Sequence, residues 1–191
     1  MNPTFDIRGE HAAMKIILNE MRKLSLDMRI GKFIDSYRIV QILDFLHTFT
    51  GNCHYEKEEK CLYPALLDHD IPWTADTINH LVGEHKTAHK YIHEIDMLFQ
   101  EYLSGNTTVV QNLSSSILKY VELETNHIRV MENVVLPLCD RIFDPKKLNS
   151  MAADFKKIQN QNVGRLKYQE FYKLLAMLKA ENEVLAERTY F

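Results

Sequence analysis

IVQILDFLHTFTGNCHYEKEEKCLYP, residues 39–64, combines an apolar helical stripe with a group of metal-ligand side chains. Ile39, Ile42, Leu43, Leu46 and Phe49 recur at three- and four-residue steps, the spacing of one helix face. Asp35 stands ahead of the stripe as an N-cap, and the helix is predicted to run to about Leu67. Late in it, His54 is followed by Glu58, an i, i+4 pair on one face.

Three further helices are predicted around this one. The first runs from about Gly9 to Ile30, with Ala13, Ile16, Ile17, Leu24 and Met28 at helical spacing and Gly31 as its stop. The third is capped by Thr74 and ends at Gly105. The fourth begins near Asn106 and Thr107 and runs to about Ile142, where Asp144-Pro145 stops it. Short connections favour antiparallel neighbours, so residues 1–145 are expected to form an up-down-up-down four-helix bundle. Residues 146–191 form a C-terminal helical extension. Its stripes are Leu148, Met151, Phe155 and Ile158, then Tyr168, Phe171, Leu175 and Leu178, with Gly164 between two pieces. It is expected to pack on the bundle or on a partner, with Tyr168, Tyr172, Tyr190 and Phe191 exposed for a homodimer or another protein. Six glycines, five prolines and no period-two runs make the fold class all-α.

Composition narrows the function. With 46% hydrophobic and 26% charged residues, the 191-residue chain reads as a soluble domain with a sizeable core. A net charge of −3 and dispersed basic residues exclude a nucleic-acid partner. No apolar run reaches the roughly 20 residues of a membrane span, and MNPTFDIRGEH lacks the pattern of a secretory signal. Cys53, Cys61 and Cys139 are an odd set. About 12 Å of helical rise separates the first two, beyond disulfide reach. The expected compartment is a reducing cytoplasm.

Nine histidines carry the functional signal. His85 and His89 repeat the i, i+4 spacing on the third helix, His127 and Glu132 lie late on the fourth, and His11 lies early on the first. In an antiparallel bundle these positions come to similar heights at about 1.5 Å per residue. Imidazole and carboxylate are ligands of first-row transition metals. An internal echo supports the pairing: HYEKEEKCLYP (54–64) and HIRVMENVVLP (127–137) each have a histidine, a glutamate five residues on and a proline at ten. His47, His69, His80 and His93 are read as packed or exposed side chains, and Glu56, Lys57 and Glu59 as a solvated charge run. Glu10 either bonds a histidine or faces solvent. Cys53 and Cys61 are read as buried thiols, Met14, Met97 and Met131 as core filler, and Tyr55 and Tyr63 as packing residues first and proton donors near the site as the alternative.

On these residues the chain resembles the hemerythrin/HHE cation-binding family over about residues 8–142, with an extension like that of many bacterial members. The resemblance implies a metal set of His11, His54, Glu58, His85, His89, His127 and Glu132. It implies two non-haem iron ions bridged by the two carboxylates and an oxo or hydroxo group, with one iron open to O2. Two departures stand out: Glu132 occupies a position usually aspartate, and Met131 one where many relatives carry glutamate. The implied function is reversible dioxygen binding for storage, delivery or sensing. The alternatives are a diiron enzyme acting on peroxide or nitric oxide, and an iron- or oxygen-responsive interaction module. A ferritin-like oxidase is disfavoured, because Glu124-x-x-His127 is a single copy of a motif that fold uses twice. Ligand type alone leaves zinc and manganese open.

Overall fold

Asn2 and Pro3 start the first helix well before Gly9, where the apolar pattern places it. The Asn2 side chain accepts from the Thr4 amide, and Pro3 sits at a first-turn position where no N–H is needed. The computed structural model of the protein describes residues 2–32 and 35–188, and side chains as far as residue 181. The predicted surface aromatics Tyr190 and Phe191 lie outside the described residues.

Among the described residues there are six helical rods and no strands. Helix α1 is Pro3–Arg29. Helix α2 (36–67) starts from Asp35, whose carboxylate accepts from the Tyr37 and Arg38 amides. Helix α3 is Thr74–Leu103; Trp73 rather than Thr74 holds the cap position, and the Thr74 hydroxyl turns back to the Ile71 carbonyl. Helix α4 (110–142) follows a single 3-10 turn, Thr107–Val109, capped by Asn106. Helix α5 is Pro145–Asn162, capped by Asp144, and α6 is Gly164–Arg188. Gly164 separates them at φ +75, a left-handed conformation open to glycine.

Helices α2 and α4 are not uniform. In α2 the turns widen to π geometry over Phe45–His54 and Glu58–Leu62, and in α4 over Met131–Val135. The Tyr63 amide reaches back five residues to Glu58, as the Leu136 amide does to Met131. Pro64 and Pro137 follow at once. Proline lacks an amide hydrogen and crowds the carbonyl four residues back. In each helix the widened turn thus falls where the regular ladder is already interrupted.

Helix α1 packs along α4, α4 along α3, and α2 against α1 and α3. The interior divides into two apolar clusters. One holds Met14, Ile17, Leu46, Ala88, Ile92, Phe99 and Tyr120; the other holds Ile7, Leu62, Leu81, Met131 and Val135. The extension completes both, with Phe171 and Leu178 in the first and Met151 and Phe155 in the second. Polar ties hold it as well: Arg38 donates two hydrogen bonds to Glu181 at 3.0 Å, and Lys167 meets Asp44 at 2.5 Å. Tyr168, expected on the surface, is half-buried against Phe49, whereas Tyr172 is exposed. No helix is long and apolar enough to cross a membrane among the described residues.

Candidate metal centre

A polar layer separates the two apolar clusters. On α1 His11 falls between Ile7 and Met14, and on α3 His85 falls between Leu81 and Ala88. His54 and Glu58 on α2, and His127 on α4, occupy the corresponding level. All five are essentially inaccessible to solvent. Core positions that would ordinarily carry Leu or Ile therefore carry imidazole and carboxylate, at a desolvation cost that a partner must offset.

The geometry supplies that partner in one residue. Glu58 Oε1 faces His54 Nε2 at 3.3 Å and His11 Nε2 at 3.6 Å. Its Oε2 faces His85 Nε2 at 3.1 Å and His127 Nε2 at 3.3 Å. Two groups of three donors result, His11–His54–Glu58 and Glu58–His85–His127, each with its ligand atoms within 4.8 Å of one another. Among the described residues, both nitrogens of His11, Nε2 of His54 and Oε1 of Glu58 are buried without a hydrogen-bond partner. Orphaned polar atoms cost roughly 1–3 kcal/mol each. A cation in each group would satisfy those facing inward, so the donor set fits a pair of metal ions.

Three of the four imidazoles have a carboxylate hydrogen-bonded behind them, and His11 has one nearby without a hydrogen bond. His54 Nδ1 donates to Glu10 at 2.9 Å, His127 Nδ1 to Glu84 at 2.9 Å and His85 Nδ1 to Glu59 at 2.6 Å. Glu132 stands 3.5 Å from His11 Nδ1. A carboxylate on Nδ1 fixes the tautomer and turns the Nε2 lone pair inward, as metal-ligating histidines require. Lys57 donates to Glu10 and is 2% exposed. The expected solvated charge run therefore does not face solvent throughout: Lys57 is buried and Glu59 bonds a histidine.

His89 and Glu132 are not among the gathered donors. His89 is exposed, with its ring against the α2 backbone at Gly51, where an added Cβ would lie 2.9 Å from its Cε1. Glu132 sits at the rim with Lys15, at 2.6 and 2.8 Å. Met131, one residue earlier, takes the inward position and is fully buried.

A repeat explains these placements, and half of it was legible in the echo of 54–64 in 127–137. The other half is Gly9-Glu10-His11 against Gly83-Glu84-His85. Glu10 bonds the histidine of α2, and its mate Glu84 bonds the histidine of α4. Glu59 and Glu132 back the histidines of the opposite half. His89 occupies the position of Lys15, four residues past the inward histidine, which puts it on the rim. The widened turns at Glu58–Leu62 and Met131–Val135 also correspond. The inward carboxylate breaks the pattern, because the mate of Glu58 is Met131.

Electrostatics follow from this packing. Burial would raise the Glu58 carboxyl, but His54, with His11 and His127, outweighs it and holds it well below the usual range. Burial would lower His54 and His127; Glu58 and Glu10 raise His54 to about 9, and Glu58 and Glu84 raise His127 to about 10. For His11 burial prevails over Glu58 and its pKa is lowered. Two tyrosines border the layer. Tyr63 donates to Glu58 Oε2 at 2.8 Å. Tyr55 stacks on His85, with centroids 3.9 Å apart, and donates to buried Glu124. His47, a candidate for packing, is exposed.

No curated protein and no solved structure matches the chain. The family model described as the hemerythrin HHE cation-binding domain matches residues 2–139. With the two histidine–carboxylate groups at its centre, the chain belongs to the hemerythrin HHE cation-binding family.

Proposed function

We propose that the protein holds two non-haem iron ions, one in each group, with Glu58 between them, and binds dioxygen reversibly for storage, delivery or sensing. The observation that carries this reading is the division of Glu58, one oxygen toward each pair of histidines. Each group is two histidines and one carboxylate, a donor set associated with iron(II) sites that keep positions open for oxygen. Iron would supply the reversible electron exchange that dioxygen binding needs. The protein's part is to orient three of the imidazoles through Glu10, Glu59 and Glu84, and to exclude bulk water with the apolar clusters on either side. His89 and Glu132, rim residues in this fold, serve as neighbours of the centre in this reading.

Tyr63 favours a second reading, an enzyme acting on peroxide or nitric oxide. Its hydroxyl donates a hydrogen bond to Glu58 beside the donors, a position from which a bound peroxide or nitric oxide could be hydrogen-bonded. A stable oxygenated spectrum with slow autoxidation supports the carrier, and rapid turnover of peroxide or nitric oxide supports the enzyme. Metal analysis with optical spectra in air and after reduction tests both, with two irons per chain expected. Trace metal only, after growth with iron, rejects both.

The same reading places the protein in the cytoplasm and treats residues 1–145 as an up-down-up-down bundle and 146–191 as its extension. Three free cysteines support the compartment. Exposed Tyr172 and Leu166 support a homodimer through α6, which sedimentation of the full chain would detect.

A further inference from the structure

A cavity of about 250 Å³ lies between the extension and the bundle, and none of the five gathered donors lines it. Phe49, Tyr168, Phe171 and Tyr172 form its walls. Gly9 opens one side, because a Cβ built there meets nothing within 4 Å. The floor is the buried pair Glu10 and Lys57, with Asp6 beside it.

The Lys57 ammonium has three N–H donors. Among the described residues Glu10 accepts one, and the Phe155 ring lies 5.5 Å away. Two donors remain at the floor, and the Tyr168 hydroxyl has no protein partner among the described residues. The Lys57 donors are buried and favour an acceptor, and the half-buried Tyr168 hydroxyl adds another donor at the mouth. Charge selects which kind. Lys57 and Glu10 offset each other as an ion pair and Asp6 opposes an anion, while an ammonium would bring donors and no acceptor for Lys57, so a neutral acceptor suits the floor. The aromatic walls suit a flat ring. A cavity of roughly 150 Å³ admits benzene, so this one has room for a ring with a substituent.

We propose that this cavity binds a neutral aromatic carbonyl compound, of the aryl ketone or quinone class, with its carbonyl oxygen on Lys57. The bound molecule shares Lys57 with Glu10, whose other oxygen holds His54. It is thus joined to the polar layer without entering it.

Calorimetric and ligand-observed NMR titrations of the full chain with four one-ring probes test this. Acetophenone is neutral with a carbonyl, ethylbenzene has the same shape without it, benzoate is the anion and benzylammonium the cation. Acetophenone is expected to bind at least tenfold more tightly than each of the others. Gly9→Leu, which fills the open side, is expected to abolish binding while leaving the far-ultraviolet circular dichroism unchanged. Lys57→Met is expected to make acetophenone and ethylbenzene equal. The proposal is overturned if no probe saturates the wild-type protein, or if ethylbenzene or either ion matches acetophenone. Undiminished binding to a folded Gly9→Leu variant overturns it as well.

Discussion

Glu58 presents two oxygens to four imidazoles, and its replacement separates charge from shape. Glu58→Gln keeps the shape and removes the charge, so bound iron is expected to fall from two per chain to below one. His89→Ala and Glu132→Ala, at the rim, are expected to retain more than one iron per chain by the same metal analysis. Glu10→Gln weakens the hold on His54 and should lower metal affinity by about 10- to 100-fold. The raised histidines also give a pH signature. In metal-free protein His54 titrates at about 9 and His127 at about 10, both above the ordinary 6.5. A raised folded-state pKa stabilises the fold fully below the unfolded value and ceases to do so as pH rises through the folded one. The urea midpoint of metal-free protein should therefore fall between pH 7 and 10. Both imidazoles carry protons at neutral pH, so loading metal should acidify a weakly buffered solution; an unchanged pH would contradict the assignment.

Helix existence was legible because it rests on local chemistry, and helix detail was not. Asp35 as the cap of α2 and Gly164 as the break before α6 follow from side-chain acceptors and left-handed backbone, which single residues announce. The α1 start was missed because Asn2 and Pro3 precede the apolar periodicity. The π turns were missed because the extra residue in each is invisible to a 3.6-residue template. They matter to the site: in α4 the widened turn begins at Met131, which points inward, leaving Glu132 on the rim. Gly51, inside the first widened stretch of α2, gives a test at this scale. Gly51→Ala gains about 1 kcal/mol of helix propensity and displaces only the outer ring of His89. Stability is expected to hold or rise, with a shifted His89 resonance in the NMR spectrum.

At the scale of the whole molecule, α5 and α6 belong to the interior. Phe155 and Leu178 are each at most 2% exposed, one in each apolar cluster. Phe155→Ala and Leu178→Ala should each cost about 2–5 kcal/mol in chemical denaturation, as core residues do and linker residues do not. The stripes of residues 146–191 showed that this segment buries something; they could not show what, because long-range pairing leaves no local trace. The same limit hid Glu84, whose partner His127 lies on another helix. Gly9-Glu10-His11 and Gly83-Glu84-His85 were both in plain view, yet only their meeting across the polar layer gives them meaning. That correspondence has a consequence for how the two halves depend on each other. Helices α1 and α2 carry one histidine pair, and α3 and α4 carry the other. The inward carboxylate comes from α2 alone, so the second half of the centre is complete only when the first is docked against it.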